Sequence, residues 1–208
     1  AGVVLFSLDR LITLRFLGAT MLGYYGICVA LFRVLNLFPT VVGQVFAPIM
    51  AKDYGSALSP RALVKDAFRC SLIATLMVVA FSLICYVSVP SLVLRFLPRY
   101  SAGLGPLNIM YLCGFLVALA VGPGHLLQTI MRQVEYAFVI VVSACGAVAL
   151  AVHLLAAGHG LSAAAWGAAL GYAMYAAGLW LYVWIFHRRE ERGTYQPASH
   201  DRAVFPAL

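Results

Sequence analysis

Residues 136–187 read YAFVIVVSACGAVALAVHLLAAGHGLSAAAWGAALGYAMYAAGLWLYVWIFH, 52 consecutive positions without a formal charge between Glu135 and Arg188. A helix crossing the hydrocarbon core of a bilayer needs about 20 apolar residues. The run therefore holds two spans, and Gly158-His159-Gly160 marks the turn between them. Two further runs extend the pattern: 25 uncharged residues separate Arg69 from Arg95, and 32 separate Arg99 from Arg132. One buried helix in a large water-soluble core explains a single run of this kind but not the set. Composition agrees. The chain is 63% hydrophobic and 10% charged, whereas a soluble domain carries about 45–50% apolar and 25% charged residues.

Worked outward from these runs, the expected fold class is all-α: a polytopic membrane protein with a six-helix transmembrane bundle over residues 1–189. The spans fall at about 1–16, 21–50, 70–94, 106–130, 134–157 and 161–187, with a polar tail at 190–208. Span one ends at Leu17-Gly18. Span two would be roughly 45 Å long at 1.5 Å per residue, so it tilts or bends, and Pro39 supplies a place for a kink. Ser59-Pro60, in the polar stretch 51–69, offers a start for a short surface helix. Gly122-Pro123-Gly124 should loosen span four. Gly167 and Gly171 form a GxxxG pair that predicts close helix packing in span six. Trp180, Tyr182 and Trp184 fit an interfacial belt. The chain opens at Ala1 with a short apolar run and no basic n-region, which reads as a fragment or as the processed form of a longer chain.

Basic residues set the expected topology. Lys52, Arg61, Lys65, Arg69, Arg132, Arg188, Arg189 and Arg192 follow spans two, four and six, while only Arg95 and Arg99 follow spans three and five. The positive-inside rule then places the first set and the C-terminus in the cytoplasm, and the expected location is the cell inner (cytoplasmic) membrane. A net charge of +7 is no sign of nucleic acid here, because the basic residues are scattered at span ends and form no stripe. The five cysteines (Cys28, Cys70, Cys85, Cys113, Cys145) stand apart, with no CxxC pair.

Embedded charge marks the candidate site. Asp9 lies about 12 Å in from the end of span one, Arg10 is beside it, and Arg33 sits at a similar depth in span two. A charge at mid-membrane costs at least about 2.5–3.5 kcal/mol on insertion scales, so these groups should face protein or water. Two readings stand. Asp9 and Arg33 form a structural ion pair pinning two helices, or Arg33 and Arg10 give a cavity its cationic lining for an anionic substrate. Arg15 is nearer the interface and should snorkel. Asn36, Gln44, Asn108, His125 and Gln128 are further polar residues in or near spans, suited to interhelical hydrogen bonds or to a cavity wall. No HExxH, Walker loop, GxSxG turn or aspartate-rich metal motif is present, so neither catalysis nor a metal or other cofactor is expected.

Three stretches taken in order carry a resemblance. Leu8-Asp9-Arg10-Leu11-Ile12, with Phe16-Leu17-Gly18 and Gly23-Tyr24-Tyr25-Gly26, resembles the entry to the second half of bacterial polysaccharide (lipid-linked oligosaccharide) flippases. Ala30 to Pro39, running on to Val45-Phe46-Ala47-Pro48, resembles the next helix of that family. Phe96 to Gly114, followed by Leu126-Leu127-Gln128 and Arg132, resembles its later turn and helix, with Pro98 where the family has glycine. The resemblance covers about residues 7–187. It implies the multidrug/oligosaccharidyl-lipid/polysaccharide transporter superfamily: two six-helix lobes around a central cavity, alternating access, and an N-terminal lobe preceding this one. The implied substrate is a lipid-linked glycan in the bilayer, and the cavity candidates are Arg33, Arg10, Asp9, Asn36 and Gln128. A multidrug exporter of the same superfamily is the alternative, followed by a membrane-embedded glycosyl- or acyltransferase and a non-catalytic assembly subunit.

Overall fold

A computed structural model describes the backbone of residues 2–56 and 60–191, and the side chains of 9–56 and 62–188. Within these residues every regular element is helical: α1 (Gly2–Gly55), α2 (Pro60–Phe96), α3 (Leu107–Thr129), α4 (Gln133–Ala156) and α5 (Leu161–Glu191), with a 3₁₀ turn at Pro98–Leu104. All five α-helices are long and apolar enough to cross a membrane. Their outer faces suit that solvent. Leu83, Ile84 and Val87 on α2 and Phe138 and Val141 on α4 are exposed, apolar strips along each helix of a kind that a water-soluble monomer rarely tolerates.

The expected spans one and two run as a single element, α1, interrupted only at Gly18, whose φ of 82° and ψ of 175° fall where glycine alone is comfortable. The chain bends back sharply there. Tyr25 donates its hydroxyl to Asp9 Oδ2 at 2.9 Å, yet sixteen residues of unbroken helix would hold the two about 24 Å apart. Pro39 and Pro48 lie inside α1 without non-helical backbone at either, so no break forms at Pro39. Helix α2 begins ten residues before the expected span: Pro60 suits the first helical turn and nothing in 61–69 breaks a helix. The short surface helix is therefore the start of α2. Helices α3, α4 and α5 match the charge-free runs. Residues 190 and 191 extend α5, and the rest of the expected tail lies outside the described residues.

Helix α3 is the most enclosed, packed on α1, α2 and α5, with Gly122, Pro123, Gly124, Leu126 and Leu127 all buried. Pro123 has no N–H, so the Leu119 carbonyl one turn back loses its helical donor. Two side chains replace it: Ser71 Oγ from α2 and Trp180 Nε1 from α5, each 2.9 Å from the Leu119 oxygen. Trp180 is thus tied by its indole N–H to α3. Trp184 is exposed, with the Arg188 guanidinium 4.0 Å from its ring centre. The GxxxG face of α5 lies directly on α4: a side-chain carbon on Gly167 would stand 2.5 Å from Ala151 Cβ and 2.8 Å from the Ala147 carbonyl oxygen.

Candidate functional site

Helices α1, α3, α4 and α5 frame a cleft of about 330 Å³, toward the small end of the range for ligand pockets, about 300–1,000 Å³. From α1 it takes Asn36, Thr40 and Gln44, and from α3 His125 and Gln128. Helix α4 adds Tyr136, and α5 adds Tyr172 and Tyr175. Among the described residues no carboxylate, lysine or arginine lines it. Its chemistry is that of amides, one hydroxyl, an imidazole and phenols. The Tyr136 and Tyr175 hydroxyls share a hydrogen bond of 3.1 Å, and the Thr40 hydroxyl donates to the Asn36 carbonyl at 2.7 Å. Gly43 sits against His125 with no room for a side chain, which lets α1 close on α3.

Two of the five sequence-derived candidates, Asn36 and Gln128, meet in this cleft. Asp9 does not. It borders a separate narrow void of about 20 Å³, walled by Ala147 of α4 and by Ala164, Ala168 and Tyr172 of α5. There its carboxylate accepts the Tyr25 hydroxyl at 2.9 Å and the Arg10 backbone N–H at 2.8 Å. The Asp9–Arg33 ion pair is not formed, because the bend at Gly18 sets Asp9 opposite Tyr25, two turns short of Arg33. Arg10 is half-buried, and its Nε has no hydrogen-bond partner among the described residues.

Arg33 is exposed and lies outside the cleft lining, but it belongs to the same stripe of α1. At 100° per residue, Arg33, Asn36, Thr40 and Gln44 fall within an arc of about 80°. Arg33, Thr40 and Gln44 are exposed and Asn36 is half-buried, so this chain leaves the stripe uncovered. Sequence reading had marked Gln44 and His125 as polar span residues and missed Thr40, Tyr136, Tyr172 and Tyr175. The i, i+4, i+8 spacing of Asn36, Thr40 and Gln44 was the available signal for Thr40. The tyrosines gave none, since a membrane helix uses tyrosine equally at interfaces and in packing. Asn108 is exposed near the start of α3, away from the cleft.

Comparison with family models, with curated proteins and with solved structures gave no match to this chain. What the fold and composition define is an all-α protein of the membrane-spanning kind.

Proposed function

We propose that this chain is one lobe of a flippase that carries polyprenyl-pyrophosphate-linked oligosaccharide across the cytoplasmic membrane by alternating access. The observation that carries the reading is the uncharged, hydrogen-bonding cleft together with the open polar stripe of α1. Polar side chains facing hydrocarbon are costly, so a stripe of arginine, amide and hydroxyl groups belongs against water or a second lobe. Amides and phenols match the hydroxyls of sugars, and aromatic rings match their apolar faces. Arg33, about one turn before Asn36 on α1 and outside the lining, suits the diphosphate: its guanidinium keeps its charge and grips phosphate oxygens in a bidentate manner. The sugar then sits in the cleft and the anion at its edge. In this reading the two arms of α1, before and after Gly18, are separate spans, which makes six crossings with both ends cytoplasmic.

Export of lipid-linked glycan, in a strain where the gene encoding this chain is the sole source of that activity, tests the reading. Asn36→Leu combined with Gln128→Leu should lower export about tenfold or more, since two hydrogen bonds to substrate are lost at about 1 kcal/mol each. Asn108→Leu, outside the cleft, should export normally. Equal export by all three proteins would sink the proposal. The topology has its own check: single cysteines at Ser56 and Ser101, both exposed, should react with a membrane-impermeant maleimide from opposite sides. Labelling of both from outside would overturn the orientation.

A further inference from the structure

The Leu119 carbonyl is an unusual point in a membrane helix, because it receives donors from two other helices at once. Pro123 removes its backbone donor, and Ser71 of α2 and Trp180 of α5 each reach it at 2.9 Å. Ser71, which is buried, also accepts the Gly122 N–H at 3.1 Å. Gly122 lies so close to the Ala67 carbonyl of α2 that no side chain fits between them. The α3 wall of the cleft straddles this point, with Val121 before Pro123 and Gly124, His125 and Gln128 after it.

The geometry points to a two-donor latch at a hinge: α3 pivots at Gly122-Pro123-Gly124, and Ser71 and Trp180 are interchangeable donors that hold the pivot. A carbonyl oxygen has two lone pairs and is satisfied by one good donor. Either α2 or α5 can therefore move off α3 while the other still satisfies Leu119, so a change in cleft width strands no polar group in the apolar interior. Proline removes a donor in many membrane helices, and one side chain suffices to repair the loss. The second donor, from a different helix, is what repair alone leaves unexplained. The inference concerns how the bundle moves and stands apart from the nature of the substrate.

Amide hydrogen exchange over residues 119–126 of the purified chain in detergent, resolved by residue and leaving out Gly122 because its own N–H is held by Ser71 Oγ, reads the latch directly, with α4 peptides and total helicity as controls for folding. Ser71→Ala and Trp180→Phe alone should each stay within about threefold of wild type, and the double variant should exchange at least about tenfold faster. Pro123→Ala added to the double variant returns a backbone N–H to Leu119 and should restore protection to within about threefold of wild type. Three results would overturn the latch. The double variant could exchange at the wild-type rate, either single variant could match the double, or the triple variant could stay fast. Should the double variant fail to accumulate, the triple variant decides: its recovery supports the latch and its loss refutes it.

Discussion

Arg33→Ala should reach the membrane at the wild-type level and yet lose glycan export by about tenfold or more. The first half of that result follows from the structure. Arg33 is exposed and makes no ion pair with Asp9, whose carboxylate is occupied by Tyr25. Truncation therefore strands no buried partner, and surface substitutions of this kind usually change stability by no more than about 0.5 kcal/mol. The second half follows from the proposed role, since a charge-assisted hydrogen bond to a phosphate is worth about 1.5–3 kcal/mol, and 1.4 kcal/mol is tenfold. Asp9→Asn in the same chain should restore nothing. Rescue by that change would mean that the two side chains meet after all. Normal export by a well-expressed Arg33→Ala protein would remove Arg33 from the mechanism and leave Arg10 as the embedded cation to test.

Gly167→Leu should cost about 3 kcal/mol or more of bundle stability, while Trp166→Leu, one residue earlier, should stay within about 0.5 kcal/mol of wild type. The reason lies in which way each residue faces. Gly167 is pressed against the Ala147 carbonyl and the Ala151 side chain, so a larger residue must push two helix backbones apart. Trp166 is half exposed on the outer face of α5. Unfolding in mixed detergent, followed by helicity, would measure both. Comparable loss in the two variants would show that α4 and α5 are held by something other than the small-residue seam.

Charge-free runs are legible because each formal charge in a membrane helix is expensive, and so α3 ends and α4 begins close to Arg132 and Glu135, and α5 ends close to Arg188. The early start of α2 was hidden because the charges of 61–69 look like loop, although each is compatible with a helix once Pro60 has begun it. The partner of Asp9 depends on the angle at Gly18, and no residue type in the sequence encodes that angle. Trp180 looked interfacial beside Tyr182 and Trp184. The clue to its hydrogen-bond partner lay far earlier in the chain, in Pro123 and the Leu119 carbonyl it leaves without a donor. The cleft was half legible. Asn36, Gln128, Gln44 and His125 announced themselves as polar groups in apolar surroundings, whereas the tyrosines and the separation of Arg33 from the lining emerged only from packing.

The bend at Gly18 also sets an order of events while the chain is being made. Asp9 emerges from the ribosome sixteen residues ahead of the tyrosine that satisfies it, a delay of about 1–3 s at synthesis rates of about 5–20 residues per second. For that interval a carboxylate that is costly to place in lipid has no hydroxyl to receive it. In the proposed six-crossing arrangement, the first arm is expected to settle in the bilayer only once Tyr25 arrives, so that the two arms of α1 enter as a pair.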